Sequence, residues 1–101
     1  MKVDLLYEAD CPNWRVAANA LESLLDEFDV TLELHESSSL DAALTASYRG
    51  SPTTLLDGRD PFESEDGPVD AACRIYPTPT GPAGVPTLDQ LRFALRAAGR
   101  S

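Results

Sequence analysis

A short apolar segment that leads directly into a helix constrains this fold more than any other feature of the chain. Residues 2–7 are mostly apolar and predict a largely buried strand. Asp10, Cys11 and Pro12 follow and predict the start of a helix, because a proline at the first helical position needs no amide donor. The helix is expected to run to about Phe28. Its apolar stripe consists of Trp14, Ala17, Leu21, Leu24 and Phe28.

The rest of the chain alternates strands with helices. Residues 30–36 alternate apolar and polar side chains, which predicts a half-exposed strand at a sheet edge. Proline and glycine predict irregular loops at 59–70 and 77–86. The remaining predicted elements are a helix over 40–48 capped by the serines 37–39, strands over 53–56 and 72–76, and a last helix that begins with the capping box Thr87-Leu88-Asp89-Gln90 and ends at Gly99.

This order predicts a single α/β domain over residues 1–101, with the sequence of elements β-α-β-α-β-β-α. Because crossovers between parallel strands are right-handed, the first two strands are expected to be parallel neighbours. The last two are expected to form an antiparallel pair. The complete prediction is a four-stranded mixed sheet with helices on both faces.

Charge excludes two classes of partner. The chain has 8 lysines and arginines against 17 acidic residues, a formal net charge of −9. Such a surface repels nucleic acid and anionic membranes. The first residues lack the features of a signal peptide, and no apolar run approaches the roughly 18 residues of a membrane span. We therefore expect a cytoplasmic protein.

The residues that could bind a metal are few. Two cysteines, Cys11 and Cys73, and one histidine, His35, cannot supply the four ligands of a structural zinc site. The acidic residues of the 59–70 loop lack an organised spacing. His35 lies on the predicted polar face of the edge strand and is assigned no role. No metal site and no cofactor are predicted.

Cys11 is the strongest candidate for chemistry. A cysteine at an exposed helix N-terminus lies near unpaired amides and the positive end of the helix dipole, which stabilise thiolate over thiol. Arg15 would add to this effect, whereas Glu8 and Asp10 would oppose it. The alternative is a cysteine that only caps the helix or packs. Since turns from strand to helix are normally exposed, the reactive interpretation is favoured.

Two segments resemble the thioredoxin superfamily, namely residues 7–14, with Cys11-Pro12-Asn13-Trp14, and residues 48–56, with a proline directly before a strand. In that family a cysteine motif opens the first helix and a cis-proline before the third strand faces it. The resemblance implies that Pro52 is cis and lies opposite Cys11. It also implies a binding surface for an extended peptide or thiol, formed by Pro12, Trp14, Ser51, Pro52 and Thr53.

The chain departs from the family at Trp14, which stands where dithiol members have their second cysteine. A mixed disulfide at Cys11 could not be resolved from within the motif. Cys73 is the remaining thiol. If residues 72–76 paired with 53–56, Cys73 would lie roughly 10 Å farther from Cys11 than Tyr76 does. A disulfide needs alpha carbons within about 7 Å. We therefore expect Cys73 to be a buried structural thiol. The alternative interpretation is that it is a resolving cysteine.

Three functions are consistent with these residues. The first is monothiol thiol-disulfide exchange, with Cys11 as nucleophile and a low-molecular-weight thiol or a protein disulfide as partner. The second is a redox-inactive module that binds protein. The third is handling of a soft metal such as mercury, since small bacterial proteins with a similar Cys-Pro-Asn-Trp segment look like companions of mercury-detoxification proteins. A thiolate suits such an ion, but two sulfurs would have to come close.

Overall fold

Five strands and three helices follow one another along residues 1–62 and 75–99, the part of the chain that the computed structural model describes. Their bounds are β1 Lys2–Tyr7, α1 Asn13–Leu24, β2 Thr31–Glu36, α2 Ala42–Ser47, β3 Thr53–Leu56, β4 Tyr76–Thr78, β5 Gly81–Ala83 and α3 Leu88–Gly99. These elements are compatible with the predicted α/β class. No helix within these ranges is both long and apolar enough to cross a bilayer.

The principal sheet has three strands in the order β2-β1-β3. The first two strands are parallel neighbours, as predicted, and β2 lies at the edge. The predicted four-stranded sheet is wrong. Strand β3 pairs antiparallel with β1, Val3 lying opposite Leu56, and the strand that follows β3 belongs to a separate sheet. The central position of β1 agrees with the burial of its residues Val3 to Leu6.

That separate sheet is a hairpin of β4 and β5, within a stretch predicted to be irregular. Pro77 lies directly opposite Pro82. Neither proline has an amide to donate, so the pair suits a position where an antiparallel ladder makes no hydrogen bonds. Gly81 completes the turn with a φ of 115°. The two prolines therefore fit a short two-stranded ribbon that the sequence analysis treated as a loop.

One face of the principal sheet packs against α1 and α3. Val3 and Leu5 contribute to this core from the central strand. The helical residues buried there are Ala17, Ala18, Leu21, Leu24, Leu91, Ala94 and Leu95. The two long helices therefore lie on the same face of the sheet. Helix α2 has no fully buried residue. The opposite face buries Leu6 and Leu55 and carries the charged side chain of Asp4.

The helix ends differ from the predicted ends by a few residues. Helix α1 stops at Leu24, and tighter turns continue to Phe28, whose amide still donates to the Leu24 carbonyl. Asp41, not the serine run, caps α2 by accepting from the Leu44 amide. The predicted capping box of α3 is confirmed, because Thr87 and Gln90 exchange hydrogen bonds between side chain and backbone.

Candidate active site around Cys11

Cys11 lies in the turn that joins β1 to α1. Its amide donates to the Glu8 carbonyl at 3.0 Å, which closes the turn. Helix α1 begins at Asn13, and Pro12 is its N-cap residue with a helical φ of −69° and no side-chain cap. The first amides of a helix have no partner within the helix. The thiol group therefore lies next to a helix N-terminus, as the sequence predicts.

The segment before β3 faces this cysteine. The Ser51–Pro52 peptide bond is cis, in agreement with the geometry that the resemblance implies. The Cys11 thiol points at the Ser51 carbonyl, with Sγ 3.8 Å from the oxygen. A thiol is a weak donor, so this contact contributes position more than energy. The fold brings together two groups that are forty residues apart in the chain.

The exposure predicted for Cys11 is wrong. The residue is only 2% exposed, and Ser51, Pro52 and Thr53 beside it are buried as well. A turn from strand to helix is normally exposed, but here the segment before β3 packs against it. The sequence carries no local sign of this contact, because the two segments meet only in the folded chain. Of the predicted binding residues, Pro12 is exposed and Trp14 is half-buried.

Three hydrogen bonds hold the cis-proline segment. The Tyr76 hydroxyl donates to the Pro52 carbonyl. The Thr53 hydroxyl donates to the Gly50 carbonyl at 2.5 Å and accepts from the Arg49 amide at 3.1 Å. Tyr76 belongs to β4, so the hairpin braces the segment that faces the cysteine. Buried backbone carbonyls need such partners.

One buried polar atom in this segment has no hydrogen-bond partner among the described residues. It is the hydroxyl oxygen of Ser51, whose own carbonyl receives the Cys11 thiol. Ser51 is 0% exposed. A buried hydroxyl without a partner costs free energy, and such groups are found where a ligand or water completes the bonding. The Ser51 hydroxyl is a group of this kind.

Aromatic side chains form a wall next to the turn. The rings of Tyr7 and Trp14 stack with centroids 4.2 Å apart and an interplanar angle of 24°. The Arg15 guanidinium lies 5.3 Å from the centre of the Trp14 ring, where a cation is attracted to the aromatic face. Glu8 accepts a hydrogen bond from the Ser37 hydroxyl at 2.7 Å. Arg15 and Glu8 therefore both have partners other than the thiol.

The hairpin also reaches the start of α1. A Cβ atom at Gly84, just after β5, would clash with the side-chain nitrogen of Asn13. Only a residue without a Cβ allows this approach with the Asn13 side chain in its present position. The hairpin was not predicted, because residues 77–86 were expected to form an irregular loop. Tyr76 was expected to end a strand over 72–76, but its hydrogen bond to the Pro52 carbonyl was not predicted.

The other predicted catalytic residue, Cys73, lies outside the described residues, as do 63–70 of the acidic loop. Its possible role as a resolving thiol stays a prediction. The soft-metal hypothesis depends on the same residue, since it requires a second sulfur.

Comparisons of the chain with protein-family models, with curated proteins and with solved structures find no match. Membership of the thioredoxin superfamily therefore stays an expectation. Since a fold does not define a function, the function has to be inferred from the site around Cys11.

Proposed function

We propose that this protein carries out thiol-disulfide exchange through Cys11 as a single nucleophile. One observation carries the proposal: the Cys11 sulfur lies 3.8 Å from the carbonyl that precedes a cis-proline, beside a helix N-terminus. The thiolate is the attacking form in such an exchange. The resemblance to the thioredoxin superfamily supports the same chemistry.

The reaction has two balanced steps. The Cys11 thiolate attacks one sulfur of a disulfide R–S–S–R′, forming the mixed disulfide Cys11–S–S–R and releasing R′–S⁻. The thiolate of a second, low-molecular-weight thiol, R″–S⁻, then attacks the sulfur of R in the mixed disulfide, which forms R–S–S–R″ and releases the Cys11 thiolate as the leaving group. The electrons come from that external thiol. An external thiol is needed because Trp14 occupies the position of the second motif cysteine.

The residues around the sulfur provide the means to hold a bound thiol. The cis-proline segment supplies backbone groups next to Cys11, and the Ser51 hydroxyl supplies a polar contact. The stacked rings of Tyr7 and Trp14 supply an apolar wall. We expect Trp14 to contribute to binding without taking part in the chemical step.

Burial of Cys11 determines how the reaction must proceed. At 2% exposure the thiol cannot be attacked or attack without local opening of the turn or of the segment that covers it. The observed rate should therefore be the product of the opening equilibrium and the rate of the exposed thiolate. We expect native Cys11 to react more slowly than the same residue in the urea-unfolded chain.

The same burial favours a second candidate, a redox-inactive binding module. In that case Cys11 is a small apolar packing residue between α1 and the cis-proline segment. The protein would then bind partners through its surface, and replacing the thiol would alter stability without altering any exchange reaction.

A mass-spectrometric experiment separates the two candidates. Wild-type protein and the Cys11→Ser and Cys73→Ser variants are incubated with glutathione disulfide under native conditions, and adducts are counted by intact mass. We expect one glutathione adduct on the wild type and one on Cys73→Ser. We expect no adduct at residue 11 in Cys11→Ser. Reduced glutathione should then remove the adduct. Circular dichroism confirms that each variant is folded.

Absence of an adduct in the native protein, together with its appearance after unfolding in urea, would refute exchange and support the binding module. An adduct on Cys73 alone would also refute the proposal. If Cys11 and Cys73 form a disulfide with each other, the wild type will lack free thiols, and Cys73→Ser will still report the reactivity of Cys11.

A further inference from the structure

A second group of chemically active side chains lies across β1 and β2, on the sheet face that points away from α1 and α3. In the parallel register Asp4 is opposite Glu33, and His35 follows two residues later on the same face. The imidazole Nε2 lies 2.7 Å from the Asp4 carboxylate and 3.6 Å from the Glu33 carboxylate. The sequence predicted β1 and β2 as neighbours but indicated no role for His35, because a histidine on the polar face of an edge strand is usually solvated.

We propose that Asp4, Glu33 and His35 form an open three-ligand site for a divalent transition-metal ion, with Zn²⁺ as the best-suited ion. Each residue offers one potential ligand atom, and these three atoms all lie within 4.8 Å of one another. Zn²⁺ binds imidazole nitrogen and carboxylate oxygen at about 2.0–2.2 Å, so two ligands in a tetrahedral arrangement are about 3.4 Å apart. The distances of 2.7 and 3.6 Å lie on either side of this value.

The three proposed ligands differ in how deeply their side chains are buried. The Asp4 side chain is 7% exposed, that of His35 is 23% exposed, and that of Glu33 is 49% exposed. The buried carboxylate and the imidazole are held by strands of the sheet, while the exposed carboxylate can swing in from the edge. Three protein ligands leave a fourth position for water or another small ligand, as in zinc sites that are not purely structural.

The ammonium group of Lys2 already lies close to two of the three proposed ligands. The Lys2 ammonium lies 3.2 Å from the Glu33 carboxylate and 3.8 Å from that of Asp4. Its hydrogen bond with Glu33, followed by the charges of Asp4 and Glu33, raises the pKa of Lys2 above its ordinary value. The Lys2 side chain is 56% exposed and flexible, so a divalent ion can displace it. Lys2 is then a competitor that lowers metal affinity.

The test uses the fact that His35 is the only histidine of the chain. Its ring signals in a ¹H–¹⁵N nuclear magnetic resonance spectrum are therefore unambiguous. Zn²⁺ is titrated into the wild-type protein. We expect a saturable one-to-one shift of the His35 ring nitrogen signals, which binding at cysteine sulfur alone would not produce.

Variants then assign the ligands. We expect Glu33→Gln to weaken Zn²⁺ binding by at least about 10-fold, since even outer-shell partners of a metal are worth 10–100-fold. Asp4→Asn should weaken it too, and Lys2→Gln should strengthen it. The matched control is Glu36→Gln, which removes the same charge from the same strand at a side chain directed to the other face. It should retain wild-type affinity.

Two results would overturn the proposal. One is a set of His35 ring signals that Zn²⁺ leaves unmoved at saturating concentration, which would make the group an ion-pair network only. The other is equal affinity in Glu33→Gln and Glu36→Gln. Both variants change exposed side chains, so neither result depends on a protein that fails to fold.

Discussion

Removing the hydroxyl group of Tyr76 tests how the β4–β5 hairpin holds the segment opposite Cys11. Tyr76 is 1% exposed, and its hydroxyl donates to the Pro52 carbonyl. The variant Tyr76→Phe keeps the ring and its edge-on contact with Phe62, whose centroid is 5.5 Å away. It deletes the donor alone, so the Pro52 carbonyl stays buried without this partner.

The expected cost follows from that burial. Leaving one buried acceptor unsatisfied costs about 1–3 kcal/mol of the free energy of unfolding. In a domain of this size each kcal/mol lowers the melting temperature by about 4–8 °C. Urea unfolding followed by circular dichroism measures the change, which should move the midpoint without changing the slope.

Tyr7→Phe is the matched control. The Tyr7 ring stacks on Trp14, and its hydroxyl makes no hydrogen bond within residues 1–62 and 75–99. We expect this variant to stay within about 0.5 kcal/mol of the wild type, as surface changes usually do. Equal stability of Tyr76→Phe and Tyr7→Phe would refute the inference that the hairpin braces the cis-proline segment.

Two further predictions concern other contacts. Thr53→Val keeps the β-branched shape but removes the hydroxyl that bonds Gly50 and Arg49, so it should cost about 1–3 kcal/mol by urea unfolding; a loss below about 0.5 kcal/mol would contradict this assignment. The hydrogen bond from Arg92 lowers the pKa of Glu27 below its ordinary 4.5. Because the folded pKa is the lower one, the pair stabilises the protein above the unfolded pKa, and the effect is lost as pH falls through the folded pKa. At neutral pH the wild type should therefore have a higher melting temperature than Glu27→Gln, and the two melting temperatures should converge in acid. A difference that stays constant with pH would contradict the assignment.

Local patterns predicted much of the fold correctly. The apolar run in β1 and the stripe of α1 correspond to buried residues. The alternation in β2 predicted a strand at the sheet edge, but Leu34 on its apolar side is 44% exposed. The parallel pairing of β1 with β2 follows from the handedness of the crossover. The capping box at Thr87 is a contact between residues three apart, so it is present in the sequence itself.

Some of the predictions that failed depended on which distant segments meet, whereas the cap of α2 and the β4–β5 hairpin are local features that the residue pattern did not reveal. Nothing within residues 53–56 states that β3 pairs with β1 alone, and nothing near Pro77 states that it faces Pro82 across a hairpin. Cys11 was expected to be exposed for the same reason, because its cover comes from the segment around Pro52.

The sequence by itself determined the elements β1 to β3 and α1 to α3, the acidic charge and the position of one cysteine before a helix. Only the tertiary structure decided that this cysteine is buried against the Ser51 carbonyl and that Asp4, Glu33 and His35 meet on one face. The physical reason is that periodicity and capping are properties of neighbours along the chain. Burial of a given atom and clustering of charges depend on contacts between residues tens of positions apart, which exist only after the chain has folded.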